Sequence, residues 1–304
     1  MSVPVFRLGP LGRLVPLVSP DEGVSRSDEF VGAVHTSINA SRTMDVRGYR
    51  RTWEFDQAYL EPDALSYLQS CFSGVVRSPL RLVDPINKNR LSKSTSAAAK
   101  LNGWSGAAGN WVPTTANSST RTMFGDTPPV ELTTERGSTV AYVPETYIRF
   151  ETANDDGDTV YAEYDGHSPN LLSRAVPVFP GETLTVSGCL RTLDPDSQMV
   201  IGFDLYDAQA ELIDYAMSDE TSSSTWDRLS ATYQDLPANA VAAMPYVMVS
   251  TAGAYDIAQL QLEEGPEATP WQLGNGCPEV LFTELQEESP VYPLVTASLR
   301  LEER

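Results

Sequence analysis

Cysteine, histidine and lysine are all scarce in this 304-residue chain. The three cysteines, Cys71, Cys189 and Cys277, are too few and too scattered for a disulfide framework or a zinc site, and read as small buried hydrophobes. The two histidines, His35 and His167, lie in no HExxH spacing, and no GxSxG elbow or reactive-cysteine signature accompanies them. The glycine-bearing stretch GWSGAAGN lacks the flanking strand and the lysine of a phosphate-cradling loop. Acidic residues are abundant, but abundance does not mark the carboxylate pair that glycoside hydrolysis needs. A glycan-degrading enzyme is therefore the least supported class, and no catalytic residue, metal or cofactor is expected. No apolar run approaches the length of a membrane span. The opening MSVPVFRLGPLGRLVPLV interrupts its apolar residues with arginine and proline, which excludes a signal peptide.

What is present is acid, and it is unevenly placed. The net charge of −20 divides into +3 over residues 1–100, −19 over residues 101–275 and −4 over residues 276–304. All three lysines (Lys88, Lys93, Lys100) fall in the first block. A step of this kind marks a domain boundary. The acidic block repels phosphate backbones, so nucleic acid is not an expected partner.

The first block reads as strands around one helix. In RTMDVRGYRRTWEF, residues 42–55, alternation puts Trp53 and Phe55 on one face. In LEPDALSYLQSCFSG, Pro62 suits the first helical position, Asp63 complements the helix N-terminus and Gly74 ends it. Leu65, Leu68 and Phe72 then form the apolar face of that helix. VVRSPLRLVDP, residues 75–85, follows as a strand closed by a turn.

Residues 93–120 are small, polar and glycine-bearing, with Trp104 and Trp111 as the large anchors, and read as a linker or loosely strapped leading segment. Beyond them, seven strand candidates recur between turn clusters: TYIRFET, DTVYAEY, TLTVSGCLRT, MVIGFDLYD, DRLSATYQ, YVMVST and YDIAQLQLE. This predicts an antiparallel β-sandwich. The cluster NDDGD, Asn154 to Asp158, lacks the spacing and closing glutamate of a calcium loop, and reads as a hairpin turn. The C-terminal VLFTELQEESPVYPLVTASLRLEER is again strand-like, and two terminal strands need a sheet to join. The fold expected is mainly β. A β-sandwich domain with one short helix is built from residues 1–92 and 276–304, and an inserted antiparallel β-sandwich of jelly-roll type spans residues 93–275.

Two segments carry a resemblance. RLVDPINKNRLS, after an R-R-x-W strand and a short helix, resembles the N-terminal domain of distal-tail or minor tail proteins in siphophages of actinobacteria. LQLEEGPEATPWQLG, residues 260–274, is similar to the closing strand and tail of the carbohydrate-binding-like jelly rolls of phage tail and tip proteins. FPGETLTVSGCLR and STWDRLSATYQDLPANAVAAMPYVMVS match earlier strands of the same family in order and spacing. The resemblance implies a virion protein, made in the host cytoplasm and built into the tail. Its implied partners are copies of itself in a ring and other tail proteins of the tube and the tip or baseplate. A fold resemblance does not hand over a ligand, and host cell-wall polysaccharide bound by the insert as an adhesin is the alternative reading. Such jelly rolls hold a structural calcium through an acidic residue shortly before the LEEG leucine. Here those places are Ala258 and Gln259, with Asp256 slightly too early.

Alternation places Ile201, Phe203 and Leu205 on one face, opposite Asp204 and Tyr206. It also sets Val247 and Val249 against Tyr246 and Met248, and Leu229 and Ala231 against Arg228. Asp204, Tyr206, Arg228 and Tyr246 are thus the candidate carbohydrate-binding residues, since a sugar needs aromatic faces for its CH groups and planar polar groups for its hydroxyls. The same four residues also suit a solvated sheet face or a protein contact.

Overall fold

The computed structural model describes residues 5–17, 23–76, 79–98, 110–134, 137–164, 170–194, 196–291 and 294–304. Trp104 and His167 lie outside the described residues. The first elements are β1 (Arg7–Gly9), β2 (Val15–Pro16), β3 (Val24–Thr36), β4 (Arg42–Leu60), α1 (Pro62–Phe72) and β5 (Leu80–Val83). Next come α2 (Lys93–Ser96), β6 (Asn110–Pro113), β7 (Ser118–Phe124), β8 (Val130–Thr134), β9 (Gly137–Tyr142), β10 (Thr146–Thr152) and β11 (Asp158–Glu163). Then follow α3 (Leu171–Arg174), β12 (Val176–Pro177), β13 (Leu184–Thr192), β14 (Met199–Tyr206), β15 (Leu212–Met217) and β16 (Asp227–Tyr233). The last are β17 (Ala242–Val249), β18 (Gly253–Glu264), β19 (Glu279–Val291) and β20 (Leu294–Glu303). The protein is mainly β, with antiparallel pairing throughout.

The chain separates into two compact units. One holds Met1–Pro85 and Pro278–Arg304, the other Ile86–Leu101 and Gly106–Cys277. These limits differ from the boundaries at 92/93 and 275/276 expected from the change of composition and the returning terminal strands.

The first unit is a seven-stranded sheet in the order β2-β1-β5-β19-β20-β4-β3. The terminal strands enter it through β19 on β5 and β20 on β4. Trp53 and Phe55 share the buried face with Leu299 and Leu301, and Phe6 meets Phe55 edge-on at 5.1 Å. The turn after β5 is anchored from below: Asp84, 1% exposed, accepts from the Trp53 indole at 3.1 Å and from Arg26 at 3.0 Å. Helix α1 begins at Pro62 as expected, and the chain leaves it through Gly74 at φ +73, a conformation that glycine adopts without a Cβ clash. Its buried side chains are Leu68 and Cys71, with Leu65 half-buried. Phe72, at the end of the helix, is 46% exposed and meets the Phe282 ring edge-on with centroids 5.4 Å apart.

The second unit is a sandwich of a five-stranded sheet, β16-β13-β18-β10-β7, and a six-stranded sheet, β15-β14-β17-β11-β6 with β12 paired on β17. Phe150, Val186, Leu190, Tyr255, Ile257 and Leu262 from the first sheet share one core with Val160, Met199, Ile201, Phe203, Leu205 and Val247 from the second. Strands β6, β7, β12 and β15 join the seven expected in these sheets, and β8 and β9 pair with each other in a separate two-stranded sheet. The described parts of the stretch 93–120, residues 93–98 and 110–120, are no loose linker. Ser94, Thr95, Ser96 and Ala98 are buried, and Trp111 lies in the core at 4% exposure. The NDDGD turn is not a hairpin either: it carries the chain from β10 in one sheet to β11 in the other. Gly157, at φ +81, is required there because a Cβ would lie 2.1 Å from the Val249 carbonyl oxygen.

The segment before α2 is locked into this unit, which is why the boundary lies at residue 86. Asn89 donates to the carbonyls of Leu260 (3.0 Å) and Gln272 (2.8 Å) and accepts from the Leu91 and Leu262 amides. Arg90, 3% exposed, makes a two-pronged pair with Glu182 at 2.8 Å for each bond and reaches Glu264 at 3.2 Å. The LEEG tail is structural in the same way. Glu263 accepts from the Thr269 amide and hydroxyl, Glu264 meets Arg90, and the Trp271 indole donates to the Leu260 carbonyl at 3.1 Å.

Candidate functional site

Three of the four candidate residues meet on the outer face of the six-stranded sheet. On β14 the core-facing Ile201, Phe203 and Leu205 leave Gly202, Asp204 and Tyr206 turned away from the core. Register places Tyr215 of β15 directly beside Asp204 and Tyr246 of β17 beside Gly202. Tyr161 of β11 sits beside Tyr246 in turn. The Tyr246 ring lies over Gly202, where a Cβ would come within 2.7 Å of its Cζ and hydroxyl. The absence of a side chain at Gly202 thus creates the seat for that ring.

Asp204 is the centre of this cluster. Its Oδ2 accepts hydrogen bonds from the hydroxyls of Tyr161 at 3.0 Å and Tyr206 at 3.2 Å. Tyr161 and Tyr246 pack as a T-shaped pair with centroids 5.9 Å apart. Asp204, Tyr206 and Tyr246 are 9%, 8% and 7% exposed, whereas Tyr215 is 56% exposed. Met217, Met248 and Val112 are also partly open to solvent. Burial pushes the Asp204 carboxyl above its usual range, and the two phenol bonds offset part of that effect. Burial and the Asp204 charge push the Tyr246 phenol up to about 12 and raise Tyr161 and Tyr206 as well.

Arg228 is not part of this cluster. It lies on β16 in the five-stranded sheet, exposed, and donates to the Ser187 hydroxyl at 2.9 Å and the Thr269 carbonyl at 2.8 Å. Alternation correctly opposed it to Leu229 and Ala231, but could not assign its strand to a sheet. Tyr161 and Tyr215 were missed. Tyr161 follows Val160 in DTVYAEY and could have been found by its parity; Tyr215 sits in a strand that was not recognised.

The outer face of the five-stranded sheet is engaged internally. Asp256 is fully buried, with one oxygen on Arg149 at 2.8 Å and the other shared by Arg149 and Arg191 at 2.9 Å. Arg191 stacks on Trp226 at 4.3 Å. The residue nearest the expected calcium position thus has arginine partners, and the Gln259 amide donates to the Pro128 carbonyl. Among the described residues no group of three or more His, Cys, Asp or Glu side chains is placed to hold a metal ion. No helix among them is long and apolar enough to cross a membrane.

No protein-family model and no curated protein matches the chain. Among solved structures, a Clostridium thermocellum endo-1,4-β-D-xylanase containing a family 22 carbohydrate-binding module, complexed with xylohexaose, aligns at 11% identity over 51% of this chain and 26% of its own, with TM-score 0.34. The enzymatically active domain of tailspike protein 4 of bacteriophage CBA120 aligns at 11% identity over 58% of this chain and 21% of its own, with TM-score 0.38. The C-terminal family 22 module of the Clostridium thermocellum enzyme aligns at 11% identity over 59% of this chain and 99% of its own, with TM-score 0.36. The chain thus spans about a quarter or less of the first two.

Proposed function

We propose that the chain is a structural component of a bacteriophage tail, a distal-tail or minor tail protein in a ring at the tail tip. In this proposal the first unit is the assembly element and the second is displayed by it. The observation that carries the proposal is the arm formed by β3 and β4. Strand β20 pairs with β4 only from Thr52 onward, so residues 28–51 project as a ribbon of two strands. Every described side chain from Val31 to Ala40 is exposed; Val34 is 55% and Tyr49 52% exposed. A two-stranded ribbon is marginally stable alone, and a long open edge is a template for another chain. Ring assembly supplies the cover, through complementary surfaces and no special chemistry. The RLVDPINKNRLS resemblance supports placing that ring in a tail. Labelling negatively stained virions with an antibody to this protein is expected to mark the tail tip. Label confined to the capsid, or found only on unassembled protein, would contradict the proposal.

A second proposal, compatible with the first, is that the second unit binds host cell-wall polysaccharide. The tyrosines around Asp204 favour it, because they combine apolar rings with hydroxyls on a face turned away from the core.

A further inference from the structure

Asp204 differs from other buried acids of the second unit in what surrounds it. Asp256 and Glu182 have both oxygens engaged by arginine. Asp158 and Glu263 have both oxygens filled by hydroxyl or amide donors. At Asp204 both phenols bond Oδ2, and Oδ1 has no partner among the described residues. No arginine or lysine pairs with Asp204 there. The Tyr246 hydroxyl, on a residue only 7% exposed, likewise has no partner among the described residues.

A buried carboxylate without a counter-charge is an unfavourable arrangement that a cation would relieve. Four tyrosines, Tyr161, Tyr206, Tyr215 and Tyr246, share its face, and their ring faces attract a cation in addition. The unit also carries most of the chain's negative charge, which draws cations and repels anionic sugars. We propose that this face binds an amino sugar within a polysaccharide, its ammonium group on Asp204 Oδ1 and a neighbouring hydroxyl on the Tyr246 hydroxyl. Tyr215, beside Asp204 and exposed, offers its ring to the CH face of the sugar. A lysine side chain would supply the ammonium but not the adjacent hydroxyl, so this pair of atoms favours the sugar. This inference rests on polysaccharide binding by the second unit and names the chemical class of the ligand.

The test is calorimetric titration of the full chain with a glucosamine hexamer whose amines are protonated, with an N-acetylglucosamine hexamer, and with oligolysine. The glucosamine hexamer is expected to bind at least about tenfold more tightly than the acetylated one, and added salt is expected to weaken it. Asp204→Asn, which keeps size and shape and removes the uncompensated charge, should abolish that preference without lowering the melt of the second unit. Tyr215→Ala, at an exposed position, should weaken glucosamine binding several-fold. Equal binding of the two hexamers would overturn the amino-sugar assignment while leaving polysaccharide binding intact. Oligolysine binding as tightly, or Asp204→Asn without effect, would overturn the assignment too. Binding of no hexamer would overturn both.

Discussion

Arg90→Ala is expected to destabilise the second unit by about 3–5 kcal/mol, the cost of removing one partner of a buried ion pair. Among the described residues Glu182 would keep only the Phe179 amide as a donor, at 2.9 Å, and no cation beside its buried charge. The ring stacking of Arg90 on Phe179 at 5.4 Å would be lost as well. Urea unfolding followed by far-ultraviolet circular dichroism would read the change as a lower midpoint with the slope retained. The double variant Arg90→Met with Glu182→Met removes both charges and is expected to recover most of the loss. If the double variant is as unstable as Arg90→Ala, the charge imbalance is not the cause and the segment's packing is.

Trp53→Ala should act on the first unit by a similar amount, about 3–5 kcal/mol, through the cavity left by a fully buried indole. It also removes a donor from buried Asp84, which retains Arg26. The two substitutions together test the division into units. Each core is closed on itself, so Trp53→Ala should lower one calorimetric transition and Arg90→Ala the other. A single transition that moves with either substitution would mean that the cores unfold together.

Much of the strand pattern was legible because it follows from local geometry. Trp53 and Phe55 share a face since side chains two apart on a strand must, and the same rule set Ile201, Phe203 and Leu205 toward the core. Pro62 and Gly74 bracket α1 for reasons internal to the backbone. Periodicity cannot report which sheet a strand joins. That is why Arg228 was grouped with Tyr246, and why the NDDGD turn passed for a hairpin when it joins two sheets. Residues 93–98 were illegible for another reason: their burial depends on hydrogen bonds made far along the chain, such as Thr95 to the Glu163 carbonyl at 2.9 Å and the Gly274 amide to Ser96 at 2.7 Å. Small polar residues bound in that way have the composition of a linker. Parity alone turned Asp204, Tyr206 and Tyr246 away from the core, while the carboxylate's unpartnered oxygen needed three-dimensional neighbours to be seen.

The assembly role stands or falls with the β3–β4 arm, and the measurement that reaches it most directly is mass in solution. Sedimentation of the full chain should give a closed oligomer. A variant in which residues 29–50 are replaced by a two-residue Asn-Gly turn, which joins the paired Asp28 and Arg51, should sediment as a monomer with both units still folded. A full chain that remains monomeric at high concentration, or an oligomer that persists without the arm, would contradict the account.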